Sequence, residues 1–134
     1  MRYKTPTERS EFYLPAEDYR CAVHWCLRYP GWLAELSIEP DTSKAITYDK
    51  ERVQTSNDFN PVEELAIRRA ELNEKKELLE KTVKEVDESI YPYLLLGVTR
   101  GLTFRQLEGR GIPCSINYYT KKRQEVYFRI AKKI

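Results

Sequence analysis

The sequence holds one histidine, one methionine, three cysteines and five glycines in 134 residues, and each scarcity removes a class of function. Cys21, Cys26 and Cys114 are odd in number and uneven in spacing. They make no disulfide framework and suit reduced thiols in a cytoplasm. A zinc site needs four converging thiol or imidazole ligands; Cys21, His24 and Cys26 point in spread directions on one helix, with no fourth ligand near them. No metal and no cofactor is expected. Glu17, Asp18 and His24 lack a neighbouring nucleophile, and no glycine-rich loop is present to cradle a phosphate, so a role without catalysis is expected. No run approaches the roughly 18 apolar residues of a membrane span. Met1 to Pro15 carries Arg2, Lys4, Glu8, Arg9 and Glu11 with no apolar stretch behind them, which is no secretory leader. The expectation is a cytoplasmic protein with no membrane partner, of one domain or two small ones.

What is there is charge, and it is unevenly placed. Charged residues make up 33% of the chain, yet the net charge is only +2. Residues 1–90 hold 14 basic and 19 acidic side chains, a net of −5, and residues 91–134 hold 9 basic and 2 acidic, a net of +7. That change of sign makes the carboxy-terminal part the candidate for a polyanionic partner.

Hydrophobic periodicity predicts an all-α protein in four stretches: an N-terminal helical segment (1–37), a polar loop (38–59), a long amphipathic helix (60–90) and a basic helix-turn-helix region (91–134). Pro15 suits the first turn of a helix, with Glu17 and Asp18 favourable to its dipole. Tyr19, Ala22, Val23, Cys26 and Leu27 form its apolar face to about Tyr29. Pro30 and Gly31 interrupt it, and Trp32, Leu33 and Leu36 suggest a further short turn. Between Ser37 and Phe59 the period is lost, with a short strand possible over 45–53. Asn60, Pro61 and Glu63 are a helix-start signature. Leu65, Leu72, Leu79 and Val86 then recur every seven residues to about Ser89. The stripe fits either packing on the helix's own domain or an oligomer or partner seam, in the simplest case a homodimer.

After Tyr91 and Pro92 an apolar helix runs to a glycine stop at Gly101. Thr103 caps a short helix with Gln106 in the reciprocal position, and Gly109 and Gly111 end it. A third helix starts at Ile112 and Pro113. Projected at about 100° per residue, Ile116, Tyr119, Val126, Tyr127 and Ile130 gather on the side facing Leu95, Val98 and Leu107. Cys114, Asn117, Tyr118, Lys121, Lys122 and Glu125 lie on or beside the other. Such a face, polar at its start and cationic one turn later, is what a major-groove reader presents. Ser115 at the helix start is placed to hold a phosphate through its hydroxyl and the free amides.

The order GLTFRQLEGRGIPCSINYYTKKRQEVYFRI, from Gly101 to Ile130, resembles the promoter-reading helix-turn-helix of sigma factors. With YRCAVHWCLRYPGW from Tyr19 and NPVEELAIRRAEL from Asn60, the chain resembles small phage or prophage transcriptional regulators of the RinA and ArpU kind, found in Gram-positive hosts. In the middle motif Asn60, Pro61 and Val62 replace the usual acidic residue, Pro and Thr. The resemblance implies sequence-specific binding of double-stranded promoter or operator DNA, activation of late genes and contact with RNA polymerase. It makes Thr103 to Gly109 the supporting helix and Pro113 to Ile130 the recognition helix. Arg105, Arg110, Lys121, Lys122, Arg123 and Arg129 become phosphate contacts, and six of them would give a log–log salt slope of roughly six.

Two other function classes fit the same features. A small terminase subunit for phage DNA packaging would use the helix-turn-helix from an oligomeric ring, and a protein-binding adaptor or inhibitor would use the long helix. Tyr119 and Tyr127 share the core face, so of the aromatics only Tyr118 remains a base or sugar contact. The stem of Arg123 falls near the apolar side and covers the core while its head reaches outward.

Overall fold

The computed structural model describes residues 6–38 and 60–134, and the described residues form helices with no strand among them. In chain order these are α1 (Ala16–Leu27), α2 (Tyr29–Ser37), α3 (Pro61–Val86), α4 (Tyr91–Arg100), α5 (Phe104–Glu108) and α6 (Ile116–Lys133). The described residues are all-α, as the periodicity predicts. The polar stretch 39–59, with its possible strand over 45–53, lies outside the described residues.

Local chemistry sets the helix ends. Pro15 is the residue before α1, with extended backbone (ψ 147°), and not its first helical residue. The break after α1 falls at Arg28, upstream of Pro30, which stands in the first turn of α2. A proline lacks the N–H and crowds the preceding turn, so the helix must stop before it, whereas a first turn tolerates it. Asn60 starts α3 by accepting the N–H of Val62 (3.1 Å) and of Glu63 (3.2 Å) on its side-chain oxygen. At the other end α3 stops at Val86 and not near Ser89, because Asp87 turns the chain by accepting the N–H of Ser89 at 2.9 Å. Gly101 closes α4 in the left-handed region (φ 65°).

The chain forms two compact units. One joins the described residues up to Pro30 with Leu78–Ile134, and the other holds the described residues between Gly31 and Glu77. The basic carboxy-terminal region is thus not a domain by itself. Helix α1 packs on α6 and α4, burying Tyr19, Ala22, Val23 and Cys26. Tyr19 meets Tyr127 edge-on, ring centres 5.2 Å apart. The core continues through Leu79 and Val83 of α3, Leu94 and Val98 of α4, Leu107 of α5 and Val126 and Ile130 of α6, all 0% exposed. Burying each such aliphatic side chain contributes about 1.5–3 kcal/mol before entropy is set against it.

In the second unit two arginines of α3 fasten the end of α2. Arg68 makes a two-pronged pair with Glu35, both contacts 3.2 Å. Arg69 donates to the carbonyls of Leu36 (3.1 Å) and Ile38 (3.0 Å), satisfying acceptors that a helix end leaves open. Trp32 and Leu72 are buried.

Candidate nucleic-acid interface

Helices α4, α5 and α6 place the residues singled out above, and short-range hydrogen bonds build the turns between them. Thr103 accepts the N–H of Gln106 at 3.3 Å, and the Gln106 side chain accepts the N–H of Thr103 at 2.9 Å. This is the reciprocal cap that the sequence predicts. The turn after α5 passes through Gly111 at φ 94°, a conformation that side-chain-bearing residues rarely adopt. Phe104 at the start of α5 braces α6 by contact with Tyr119, ring centres 5.7 Å apart.

Helix α6 begins at Ile116 and not at Pro113, because the Ser115 hydroxyl accepts the N–H of Tyr118 (3.3 Å) and sets the cap there. Ser115 therefore spends its oxygen on the helix itself. Ile116, expected in the core, is 56% exposed. Packing on α4 starts one turn later, where Tyr119 lies over Gly97, so the first turn of α6 overhangs the core. Asn117, Tyr118 and Lys121 are exposed beside it. Tyr119, Val126, Tyr127 and Ile130 are buried, as their spacing predicts.

The cations divide into three groups. Arg105 and Arg110 are exposed and make no ion pair among the described residues, and the Lys122 ammonium stands 5.4 Å from the Tyr118 ring centre. Lys121 makes a loose pair with Glu11 at 3.8 Å. Arg123, Arg129 and Lys133 are engaged within the protein, while Lys132 lies over the Phe128 ring at 4.4 Å and Arg100 is exposed. The Arg123 guanidinium lies over the Tyr119 ring at 5.7 Å, and its Nε is buried without a hydrogen-bond partner, which makes Arg123 a packing residue more than a phosphate contact. Arg129 pairs with Glu125 (3.2 Å) and Glu85 (3.8 Å). Lys133 reaches Glu85 (3.6 Å) and the buried Thr82 hydroxyl (3.0 Å). Glu85 of α3 and Glu125 of α6 itself thus pair Arg129 and Lys133 in the carboxy-terminal half of α6, and the amino-terminal half carries Lys121 and Lys122.

Tyr118, expected as a base or sugar contact, donates its hydroxyl to the Asp87 carboxylate just beyond α3. The hydrogen bond raises the pKa of the Tyr118 hydroxyl. Burial by itself would raise the Asp87 carboxyl, but hydrogen bonds from Ser89, Tyr118 and the N–H of Ile90 outweigh it and hold the group below its usual value. A carboxyl more acidic in the folded chain than its unfolded value of about 3.9 contributes stability that is present above that value and lost as pH falls through the folded one. In thermal melts, Asp87→Asn should therefore lie below the parent at and above about pH 5, and the gap should close as pH falls beneath the ordinary carboxyl range. A constant gap between the two across that range would remove Asp87 as the acid-sensitive tie.

The stripe residues Leu72 (1% exposed), Leu79 (0%) and Val86 (7%) are buried within the chain itself, and Leu65 is half-buried. Of the two readings of the stripe, packing on the helix's own protein is the one its burial fits; these three side chains present no exposed seam. Among the described residues no cluster of His, Cys, Asp and Glu is arranged to hold a metal ion. No helix is long and apolar enough to cross a membrane among them.

Two features escaped the sequence. Asp87 fixes the start of α6, and residues 6–14 lie along α6, with Phe12 against Phe128 at 5.8 Å and Glu11 on Lys121. Neither contact leaves a period or spacing to read. Gly97 did leave a signal, a lone glycine within an apolar helix, which marks close backbone approach. Comparison with protein-family models, with curated proteins and with solved structures finds no match.

Proposed function

We propose that the protein binds double-stranded DNA in a sequence-specific manner through the amino-terminal half of α6 and acts as a transcriptional regulator. The observation that supports this most is the exposed, Ser115-capped start of an 18-residue helix. A five-residue capped helix precedes it, and Asn117, Lys121 and Lys122 fall within its first two turns. A recognition helix reads base edges with its amino-terminal residues; Asn117 has the side chain suited to adenine and the lysines those suited to guanine or phosphate. Arg105 and Arg110 lie on the approach as further phosphate contacts.

In this reading Arg105, Arg110, Lys121 and Lys122 carry the electrostatics, while Arg123 and Arg129 are engaged elsewhere, so the salt slope becomes about three to four. The likeness in motif order to RinA and ArpU proteins gives the reading its expected target, phage or prophage late promoters. The exposed acidic face of α3, with Glu63, Glu64, Glu71, Glu74 and Glu77, is the surface available to RNA polymerase. Replacing Lys121 and Lys122 together with alanine should weaken binding to a cognate promoter fragment by about tenfold or more at low salt and flatten the slope by about two. Circular dichroism should show unchanged helix content. Gel-shift titrations across a salt series measure both quantities, and unaltered affinity would count against the assignment.

A further inference from the structure

Residues 6–14 make a small arm that is folded and anchored. Ser10 donates its N–H to the Thr7 carbonyl (2.9 Å), Tyr13 to the Ser10 carbonyl (3.2 Å), and the Ser10 hydroxyl accepts the N–H of Phe12 (3.2 Å). Pro6 and Leu14 are buried, and Phe12 packs on Phe128. Between this arm and α6 runs a cleft of about 270 Å³, whose polar lining is Thr7 and Ser10 on one wall and Asn117, Thr120, Lys121 and Gln124 on the other. The cleft is smaller than the roughly 300–1,000 Å³ usual for a whole small-molecule ligand. Its lining offers hydroxyl, amide and ammonium donors and no carboxylate, the donor set of a tetrahedral oxyanion. The Ser10 oxygen already accepts a backbone N–H, which leaves its own proton to donate.

We propose that this cleft is a phosphate site whose Lys121 is held in the free protein by Glu11, which lies outside the lining. Glu11 and Lys121 are 3.8 Å apart with side chains 68% and 65% exposed. An exposed pair of this kind contributes little. A phosphate with several oxygens displaces the carboxylate by forming bonds along the whole cleft, while the arm stays in place on its apolar anchors. The source of the phosphate is a duplex backbone, in which case the site rests on the DNA-binding reading and supplies its register on one strand, or free phosphate, in which case it does not.

The test uses the full chain, isotopically labelled, with inorganic phosphate and a promoter duplex as separate probes. Glu11→Gln should bind the duplex roughly three- to fivefold more tightly than the parent. Glu8→Gln, exposed on the same arm, should give a smaller change, and in a Lys121→Met background the Glu11→Gln gain should vanish. The amide signals of Thr7, Ser10 and Thr120 should shift on adding either probe to Glu11→Gln, and stay still in Lys121→Met. Duplex binding that leaves these amides unmoved, or equal gains from Glu11→Gln and Glu8→Gln, would overturn the site while leaving the DNA-binding reading intact. Phosphate-induced shifts without any duplex binding would uphold the site, assign it to free phosphate and remove the DNA-binding reading.

Discussion

Gly97→Ala should lower the melting temperature by roughly 5–15 °C, corresponding to about 2–3 kcal/mol, although it adds a single methyl group. A Cβ at Gly97 would collide with the Tyr119 hydroxyl oxygen and stand 3.0 Å from its Cζ and 3.5 Å from the Leu107 side chain. Tyr119 is 1% exposed and is held by Phe104 on one side and Arg123 on another, so it has nowhere to swing. The usual benefit of alanine over glycine in a helix, about 1 kcal/mol, is too small to offset that collision. The Tyr119 hydroxyl is also buried with no hydrogen-bond partner. Tyr119→Phe should therefore cost little or even stabilise, and it should recover part of the loss in Gly97→Ala. Calorimetry of both single variants and the double variant decides it: independent, additive effects would show that the two residues do not meet.

The second large effect is expected at Leu79. Its side chain is 0% exposed in the unit that contains α1, α4 and α6, and truncation to alanine leaves a void that such a packed core closes only partly. The cost should be about 3–4 kcal/mol, a fall of roughly 8–15 °C in melting temperature. If Leu79 lined an interface between two copies, the variant would change mass in light scattering and its loss of stability would depend on concentration. The burial predicts the same mass and a concentration-independent loss.

These residues show how far the sequence could be read. The helix starts at Asn60 and Thr103, the reciprocal Thr103–Gln106 cap and the buried face of α6 from Tyr119 to Ile130 are legible, because each depends on residues within a turn or two of one another. The start of α6 lies three residues beyond Pro113, where the sequence predicts it, because Pro113 is as good a first-turn residue as Ser115 is a cap, and only the hydrogen bond to Tyr118 decides between them. The pairings Asp87 with Tyr118, Glu11 with Lys121 and Glu85 with Lys133 join residues distant in the chain. They depend on how the helices pack, which no local pattern encodes. They also change the meaning of the +7 charge of residues 91–134: part of it is paired with Glu85 and Glu125, and the start of α6 and the Arg105–Arg110 stretch are among the parts left for an outside anion.

The packing of α1 on α6 also constrains how the protein comes into being. Tyr19 and Tyr127 meet across most of the sequence, so the part of the first helix's apolar face that packs on α6 stays uncovered until α6 has been synthesised. Contacts of such high separation form late and slowly, and a nascent chain carrying that uncovered face is a substrate for chaperones and proteases in the interval. How soon α6 docks on α1, beside the stability of the finished fold, then bears on how much of the chain escapes that interval.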